Sequence, residues 1–206
     1  MSLMYRMMYR LGWAPWEHGA ERFERDVDRL FSPEPRFGCG TYTKPEPGRA
    51  LDIGCGRGYH AVELARRGWD VTAIDVVERA LEQGRRRAHG ADVEIDFRRV
   101  DITDPGDALD GGYTLLLDVG CYHGLSHEER TAYVESVGRL AAPGASLLMF
   151  AFGRGYRGPL PSGTSRANIE RRFTEWTLVA DTDADTDWLP PPLRSVDPRW
   201  FLLVRS

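Results

Sequence analysis

The chain has 206 residues, of which 42% are hydrophobic, 11% aromatic and 28% charged. This composition is typical of a globular domain and excludes a disordered, collagen-like or membrane-embedded chain. We expect no signal peptide, because the N-terminus lacks a clean apolar segment, and no partner membrane. The net charge of −4 argues against a nucleic-acid partner, since proteins that follow phosphates usually carry a basic excess. Three cysteines cannot all pair, which favours a cytoplasmic location.

The first 47 residues differ from the rest of the chain and are predicted to form an arm. They are rich in tryptophan, proline and glycine, and apolar residues recur at helical spacing only between positions 23 and 31. This is too little apolar surface for a separate core. The sequence therefore predicts an arm over residues 1–47 and one domain over residues 48–206.

From residue 48 onward, predicted strands and helices alternate. Strands are predicted over residues 49–53, 70–74, 93–100, 113–119 and 146–152, and helices over residues 59–67, 77–89 and 127–141. This alternation predicts an α/β fold with a mostly parallel sheet, covered by helices on both faces. A short helix ending at residue 173 and strands over 174–180 and 199–204 follow. We expect these last two strands to add an antiparallel pair, separated by the prolines at 190–192.

A glycine-rich turn lies between the first predicted strand and the first predicted helix. Gly54, Gly56 and Gly58 allow positive φ angles and a close approach to a ligand, and the following helix start offers N–H groups to a carboxylate or phosphate. The spacing departs from the dinucleotide pattern G-x-G-x-x-G, because Tyr59 stands where its third glycine is expected. Asp75 ends the next strand, where an acid can accept both ribose hydroxyls.

Residues 51–75 resemble the first two motifs of the class I S-adenosylmethionine-dependent methyltransferases, which carry D-x-G-x-G-x-G followed by an acid. Asp101, the segment 117–123 and the Pro143–Gly144 turn match three further motifs of this family. The resemblance covers residues 48–206 and implies a Rossmann-like seven-stranded sheet in the order 3-2-1-4-5-7-6, with the last strand antiparallel. Within this family, the arm residues 14–17 and the segment 118–125 resemble those of the small thiopurine, halide and quinone methyltransferases.

The resemblance implies that S-adenosylmethionine is the cofactor and that S-adenosylhomocysteine is the product. Asp52 is expected near the methionine ammonium, Asp75 at the ribose and Asp101 at the adenine, although Asp52 and Asp101 could instead cap turns. The full predicted cofactor set comprises Asp52, Gly54, Cys55, Gly56, Gly58, Asp75, Val76, Asp101, Ile102, Asp118 and Val119.

The methyl acceptor is expected beyond the fourth strand. His123 is the candidate general base because it follows that strand and an imidazole titrates near neutrality, with Tyr122 beside it as a second catalytic candidate. The alternative for His123 is a histidine that packs within the loop. The acceptor pocket is predicted to include Trp13, Trp16, His18, Cys121 and His123, with the two tryptophans acting either as a lid or as an anchor for the arm. No metal site is expected.

The sequence therefore predicts an enzyme that methylates O, N or S of a small molecule, acting as a monomer or homodimer. A non-enzymatic module that only binds S-adenosylmethionine is an alternative, because the motifs support binding without proving turnover. A dinucleotide-dependent oxidoreductase is a further alternative that rests on the shared fold alone.

Overall fold

The computed structural model describes residues 45–153, 163–184 and 197–206. Within these ranges, seven strands form one sheet in the order β3-β2-β1-β4-β5-β7-β6. The strands are β1 (Arg49–Ile53), β2 (Asp70–Asp75), β3 (Asp96–Arg99), β4 (Tyr113–Val119), β5 (Ala141–Phe152), β6 (Trp176–Asp183) and β7 (Pro198–Arg205). The helices are α1 (Tyr59–Arg66), α2 (Glu78–Gly90), α3 (His127–Leu140) and α4 (Arg166–Arg172).

The direction of the strands agrees with the prediction. Strands β1 to β5 pair in parallel, so their carboxyl ends share one edge of the sheet. Strand β7 pairs antiparallel with both β5 and β6. The predicted order and the antiparallel last strand are therefore confirmed.

The sheet buries two apolar layers, one on each face. Alternate residues of β1, such as Ala50 on one face and Leu51 on the other, belong to different core clusters because successive side chains of a strand point in opposite directions. The first layer packs against α1 and α2, and the second packs against α3 and α4. The crossover helices therefore cover both faces, as a parallel sheet requires.

Two predicted strand boundaries were wrong for identifiable reasons. Strand β3 begins only at Asp96, because the Val93 amide instead donates to the Ala88 carbonyl and closes the end of α2. Strand β5 begins at Ala141, which already pairs with Tyr113, so the Pro143–Gly144 turn is a bulge within that strand. Residues 1–44 of the predicted arm over residues 1–47, and the prolines at 190–192, lie outside the described residues.

No helix in the described part of the chain is long and apolar enough to cross a membrane.

Helices α1 and α2 approach each other closely at two glycines. A Cβ atom at Gly58 would lie 3.2 Å from the Gly84 Cα and 2.9 Å from the Phe97 ring. A Cβ atom at Gly84 would lie 2.6 Å from the same ring. The third glycine of the turn therefore serves the packing of α1 against α2 and β3.

We expect Gly84→Ala to destabilise the fold by about 1–3 kcal/mol, because the new methyl group overlaps the buried Phe97 ring. Gly90→Ala in the same helix is the matched control, since nothing lies within 4 Å of its Cβ position and alanine favours helix over glycine. Urea unfolding of both variants measures the difference. Equal stability of the two variants would contradict the packing argument.

Candidate functional site

A cleft opens at the carboxyl ends of the parallel strands. Six of the residues that line it were predicted from the sequence to bind the cofactor or the acceptor, namely Gly54, Asp75, Val76, Asp101, Ile102 and Cys121. The sequence reasoning missed Ile74, Val100 and Leu125, which add apolar walls. Parallel strands place their carboxyl ends at one edge, and so motifs far apart in sequence meet here.

The glycine turn between β1 and α1 brings the backbone close to this cleft. Gly54, Gly56 and Gly58 all have positive φ angles, between 54° and 70°. A Cβ atom at Gly54 would lie 3.1 Å from the Cys121 Cβ, so a larger residue there would crowd the cleft wall. Glycine is therefore required at Gly54 both by the backbone angle and by the space.

Three amides of the turn are already used within the protein. The Cys55 amide donates to the Ile74 carbonyl at 2.9 Å, and the Gly58 amide donates to the Cys55 carbonyl at 2.9 Å. The Gly56 amide donates to the Asp75 carboxylate at 3.0 Å. Cys55 and Gly58 do not line the cleft, and the turn does not present these N–H groups to a phosphate.

Asp75 connects the two turns on either side of the cleft. Its Oδ2 accepts the Gly56 amide, and its Oδ1 accepts the Val77 amide at 2.8 Å. Burial raises the pKa of this carboxyl, while the amide hydrogen bonds oppose that rise. Each carboxylate oxygen can accept a second hydrogen bond, so Asp75 can bind two neighbouring hydroxyl groups of a ligand.

Asp101 lines the cleft opposite Asp75, at the end of the segment that follows β3. Its Oδ1 accepts both the amide of Thr103 at 3.0 Å and the hydroxyl of Thr103 at 2.7 Å. These bonds cap the turn that follows Asp101, which is the alternative role that the sequence offers for this residue. Because both use Oδ1, the Oδ2 atom retains its capacity to accept a donor from a ligand.

Asp52 lies beneath the glycine turn with 1% of its surface exposed. Its Oδ2 has no hydrogen-bond partner in the described structure. Burial, followed by the charges of Asp118 and Asp75, raises the pKa of Asp52 to about 8, while the Ala61 amide lowers it. An orphaned, buried carboxyl oxygen costs free energy, so this position favours a nearby cation or donor.

Asp118 faces inward, and its carboxylate organises the loop that follows β4. Its Oδ1 accepts the Cys121 amide at 2.7 Å, and its Oδ2 accepts the Tyr122 amide at 3.0 Å and the Tyr133 hydroxyl at 2.7 Å. Burial raises the pKa of Asp118 to about 6 against these three donors. Neither Asp118 nor Val119 lines the cleft, in contrast to the prediction that both bind the cofactor there.

Tyr122 is fully buried, so the structure does not place its hydroxyl where a substrate could meet it. The hydroxyl lies 3.2 Å from the Asn168 Oδ1, and the ring packs against Tyr133 and Phe173. Burial raises the pKa of Tyr122 to about 12. The burial of this side chain in the core does not favour the predicted catalytic role, which stays a prediction.

His123 lies in a single 3₁₀ turn, Tyr122–Gly124, between β4 and α3. Its Nδ1 accepts the Phe152 amide at 3.4 Å, which ties the ring to the end of β5. Arg130 of α3 donates to the His123 carbonyl and to the Gly163 carbonyl, both at 2.9 Å. Arg130 therefore joins the loops that follow β4 and β5.

The sequence reasoning missed Arg130 and Tyr133, although one signal pointed to them. Ser126 and Glu129 form a reciprocal capping box that begins α3 directly after the His123 loop. The box fixes where α3 begins, and Arg130 and Tyr133, three residues apart, then share one face of that helix. The predicted acceptor residues Trp13, Trp16 and His18 lie outside the described residues.

We expect Tyr133→Phe to lower the free energy of unfolding by about 1.5–3 kcal/mol at pH 7.5, because it removes a donor from a buried carboxylate. Tyr122→Phe is the matched control, since its hydroxyl meets only a neutral amide oxygen and its loss costs about 0.5–1.5 kcal/mol. Chemical unfolding measures the free energy of unfolding of both variants. A smaller loss for Tyr133→Phe than for Tyr122→Phe would contradict this account of Asp118.

We also expect the unbound protein to lose stability as the pH rises from 6.5 to 8. The folded state keeps a proton on Asp52, whose pKa is raised to about 8, whereas the unfolded chain has already lost it. The slope approaches about 1.4 kcal/mol per pH unit. His60 makes stability change in the opposite direction. Burial lowers its pKa to about 4, so the protein loses stability as the pH falls below about 6.5 and the unfolded chain takes up a proton that the folded chain does not.

Asp52→Asn should flatten this slope, whereas Asp70→Asn, an exposed position of β2, should leave it unchanged. Thermal or urea unfolding at pH 6.5, 7.2 and 8 gives both slopes. An Asp52→Asn slope equal to that of the wild-type protein would refute the assignment.

Comparison with known proteins places this geometry in a family. Residues 50–144 match a family model described as a methyltransferase domain. The chain is 31% identical over 144 residues to a ubiquinone biosynthesis O-methyltransferase of Xanthomonas oryzae pv. oryzae, which covers 69% of this chain and 57% of that protein. It is 29% identical over 107 residues to a 2-heptyl-1-hydroxyquinolin-4(1H)-one methyltransferase of Mycobacteroides abscessus. This match covers 51% of this chain and 46% of that protein.

The chain thus spans about half the length of the curated relatives it matches. Among solved structures, magnesium protoporphyrin IX methyltransferase from Synechocystis PCC 6803 with bound SAH superposes with a TM-score of 0.68 at 17% identity, covering 93% of this chain and 86% of that one. This likeness concerns the fold. The matched domain, the glycine turn and the sheet order agree with the resemblance to the class I S-adenosylmethionine-dependent methyltransferases seen in the sequence.

Proposed function

We propose that this protein is an enzyme that transfers the methyl group of S-adenosylmethionine to a small acceptor, with a ring hydroxyl as the first candidate. The observation that carries the proposal is the cleft lined by Asp75, at the end of β2, and by Asp101, which follows the adjacent strand β3. The names of the relatives, an O-methyltransferase of ubiquinone biosynthesis and a hydroxyquinolone methyltransferase, support an oxygen acceptor.

The residues present fit this cofactor. S-adenosylmethionine carries a ribose diol, an adenine, an ammonium group and a sulfonium, and it has no phosphate. Asp75 would hold the ribose hydroxyls, Asp101 and Ile102 would border the adenine, and the orphaned Asp52 oxygen favours the ammonium, directly or through water. The methyl group of the bound cofactor is activated toward nucleophiles by the positive charge on sulfur.

The engaged turn amides distinguish this site from a dinucleotide site. A dinucleotide places its pyrophosphate on the amides of the glycine turn and helix start. Here the amides of Cys55, Gly56 and Gly58 are bonded within the protein. Among its described lining residues, the cleft also offers the acidic side chains of Asp75 and Asp101 and none of the basic side chains that would hold a diphosphate, so the oxidoreductase alternative loses support.

The chain itself contributes binding, orientation and exclusion of water. The apolar walls formed by Ile74, Val100 and Leu125 reduce the water around the ligand, which strengthens the electrostatic interactions of the two acids. The loop after β4 is held by Asp118 and Arg130, so it can present an acceptor in a fixed position. Orientation of two reactants is a large part of catalysis for such a displacement.

The remaining proposals concern partners and location. We propose that the methyl acceptor is the protein's small-molecule partner and that the protein binds neither nucleic acid nor membrane, in line with its net charge of −4. A monomer or homodimer is proposed. Neither Cys55 nor Cys121 forms a disulfide, which supports the proposed cytoplasmic location.

Incubation with methyl-labelled S-adenosylmethionine and a panel of phenols, hydroquinones, hydroxyquinolones, amines and thiols tests the activity. We expect a labelled oxygen-methylated product and an equal amount of S-adenosylhomocysteine, detected by mass spectrometry. Tight cofactor binding without transfer to any of these acceptors would favour a non-enzymatic binding module. Binding of a nicotinamide dinucleotide in place of S-adenosylmethionine would favour the oxidoreductase.

Asp75→Asn should weaken the binding of S-adenosylhomocysteine by roughly tenfold to a hundredfold, because a charged acceptor of two hydroxyls is worth about 1.5–3 kcal/mol. Asp70→Asn, at the opposite and exposed end of the same strand, should bind as the wild-type protein does. Titration calorimetry measures both affinities, and thermal unfolding checks that each variant is folded. Unchanged affinity of a folded Asp75→Asn would remove Asp75 from the site.

A further inference from the structure

Four buried polar side chains connect the loop after β4 to the chain that follows β5. We call them the linking cluster, and its members are Tyr122, Arg130, Thr164 and Asn168. The Nη2 atom of Arg130 donates to the carbonyls of His123 and Gly163, both at 2.9 Å. The Asn168 Oδ1 accepts the hydroxyl of Tyr122 at 3.2 Å and that of Thr164 at 3.1 Å. The linking cluster therefore joins the two segments at two points.

The geometry of the Arg130 guanidinium is set from more than one side. Its Nη2 atom uses one hydrogen for each carbonyl, so the two carbonyl groups are held at a fixed separation. The Tyr122 ring lies against the guanidinium, with 5.0 Å from the Arg130 Cζ to the ring centroid. Burying a cation costs free energy that only well-placed partners recover, and apolar side chains could fill this space at a lower cost. The cluster therefore fixes the relative position of two segments as well as filling the core.

The linked segments lie at the acceptor side of the cleft. The loop after β4 contributes Cys121 and Leu125 to the cleft wall. The chain after β5 returns to the same edge of the sheet, where the Thr164 amide donates to the Phe152 carbonyl at 2.9 Å. The two acids proposed to hold the ribose and the adenine lie on the side of β2 and β3. In the order β3-β2-β1-β4-β5, the acceptor is then expected on the other side, beside the ends of β4 and β5.

We propose that Arg130 is a positioning residue for the methyl acceptor. This inference rests on the proposed function and adds to it the side chain that sets the orientation of the acceptor. Arg130 acts through the backbone of the loop after β4 and of the chain after β5, whose separation it fixes. A displacement of about 1 Å between reacting groups costs about a hundredfold in rate, so this separation affects kcat directly.

Amide hydrogen exchange, followed by nuclear magnetic resonance, tests the link without cofactor or acceptor. Arg130→Met keeps an unbranched apolar side chain and removes both donors. We expect the amides of Gly124 and Thr164, one on each linked segment, to exchange about tenfold faster in this variant. Arg139→Met is the matched control, because this exposed arginine of α3 donates to the Gly106 carbonyl at 3.0 Å, and it should leave both amides unchanged. Unchanged exchange in Arg130→Met, or an equal rise throughout the sheet, would overturn the proposal.

Methyl-transfer kinetics test the effect on the acceptor. Each kcat is expressed per S-adenosylhomocysteine-binding site counted by calorimetry, so that a loss of folded protein does not enter the value. We expect Arg130→Met to lower kcat per site by about a hundredfold and to change the affinity for S-adenosylhomocysteine far less. Arg139→Met should keep the wild-type kcat. A wild-type kcat per site in Arg130→Met would show a merely structural role and overturn the proposal.

Two milder variants keep the proposal testable if Arg130→Met does not fold. Arg130→Lys retains the charge but lacks the planar fork, so we expect a kcat per site between those of the wild-type protein and a variant without donors. Tyr122→Phe removes one hydrogen bond of the second link and should lower kcat per site by about twofold to tenfold, the range for a neutral hydrogen bond. Wild-type kcat in both variants would contradict the positioning role.

The two sets of measurements also separate this proposal from the proposed function. A wild-type protein that transfers no methyl group to any acceptor would refute the proposed function. The exchange rates of Gly124 and Thr164 would still decide whether Arg130 holds the two segments together.

Discussion

The site depends on the burial of three carboxyl groups at the ends of adjacent strands. Asp52 of β1, Asp75 of β2 and Asp118 of β4 lie on neighbouring strands, with Asp118 one residue and Asp75 two residues further along than the register partners of Asp52, and each is 5% exposed or less. Like charges in a buried setting raise one another's pKa and cost free energy. Backbone amides offset this cost by donating hydrogen bonds to the carboxylates. The donors come from the glycine turn, the start of α2 and the loop after β4, so these carboxylates help to fix the conformation of all three segments.

The same carboxyl groups decide what kind of ligand suits this edge of the sheet. A Rossmann-like sheet can bind phosphates through free amides at the glycine turn, but here those amides bond to the protein, and Gly56 gives its proton to Asp75. What remains is an acidic cleft with an orphaned Asp52 oxygen beneath it. Such a cleft favours hydroxyl groups and cations over phosphates. The fold is shared by many proteins, whereas this distribution of charge is the feature that favours a sulfonium cofactor.

Much of the fold and part of the cleft could be predicted from the sequence, because local sequence patterns determine them. The glycine turn, the acids Asp75 and Asp101 at strand ends and the sheet order follow from strand and helix alternation and from a family resemblance, and the structure brings Gly54, Asp75 and Asp101 into one cleft. Side-chain direction could not be predicted in the same way. Tyr122 and Asp118 lie in the same motif as His123, yet they face the core, since Tyr133 and Asn168 from distant parts of the chain supply their partners. Likewise, the Phe152 amide that donates to the His123 Nδ1 lies 29 residues away, and no local pattern encodes that contact.

The central claim is that the acidic cleft binds the methyl donor through Asp75. A crystal structure of the complex with S-adenosylhomocysteine tests it most directly, because it locates the ligand independently of any acceptor. The account predicts the ligand in the cleft lined by Gly54, Asp75 and Asp101, with the ribose hydroxyls on the Asp75 carboxylate. A ligand bound elsewhere, or bound in the cleft without contact to Asp75, would contradict it.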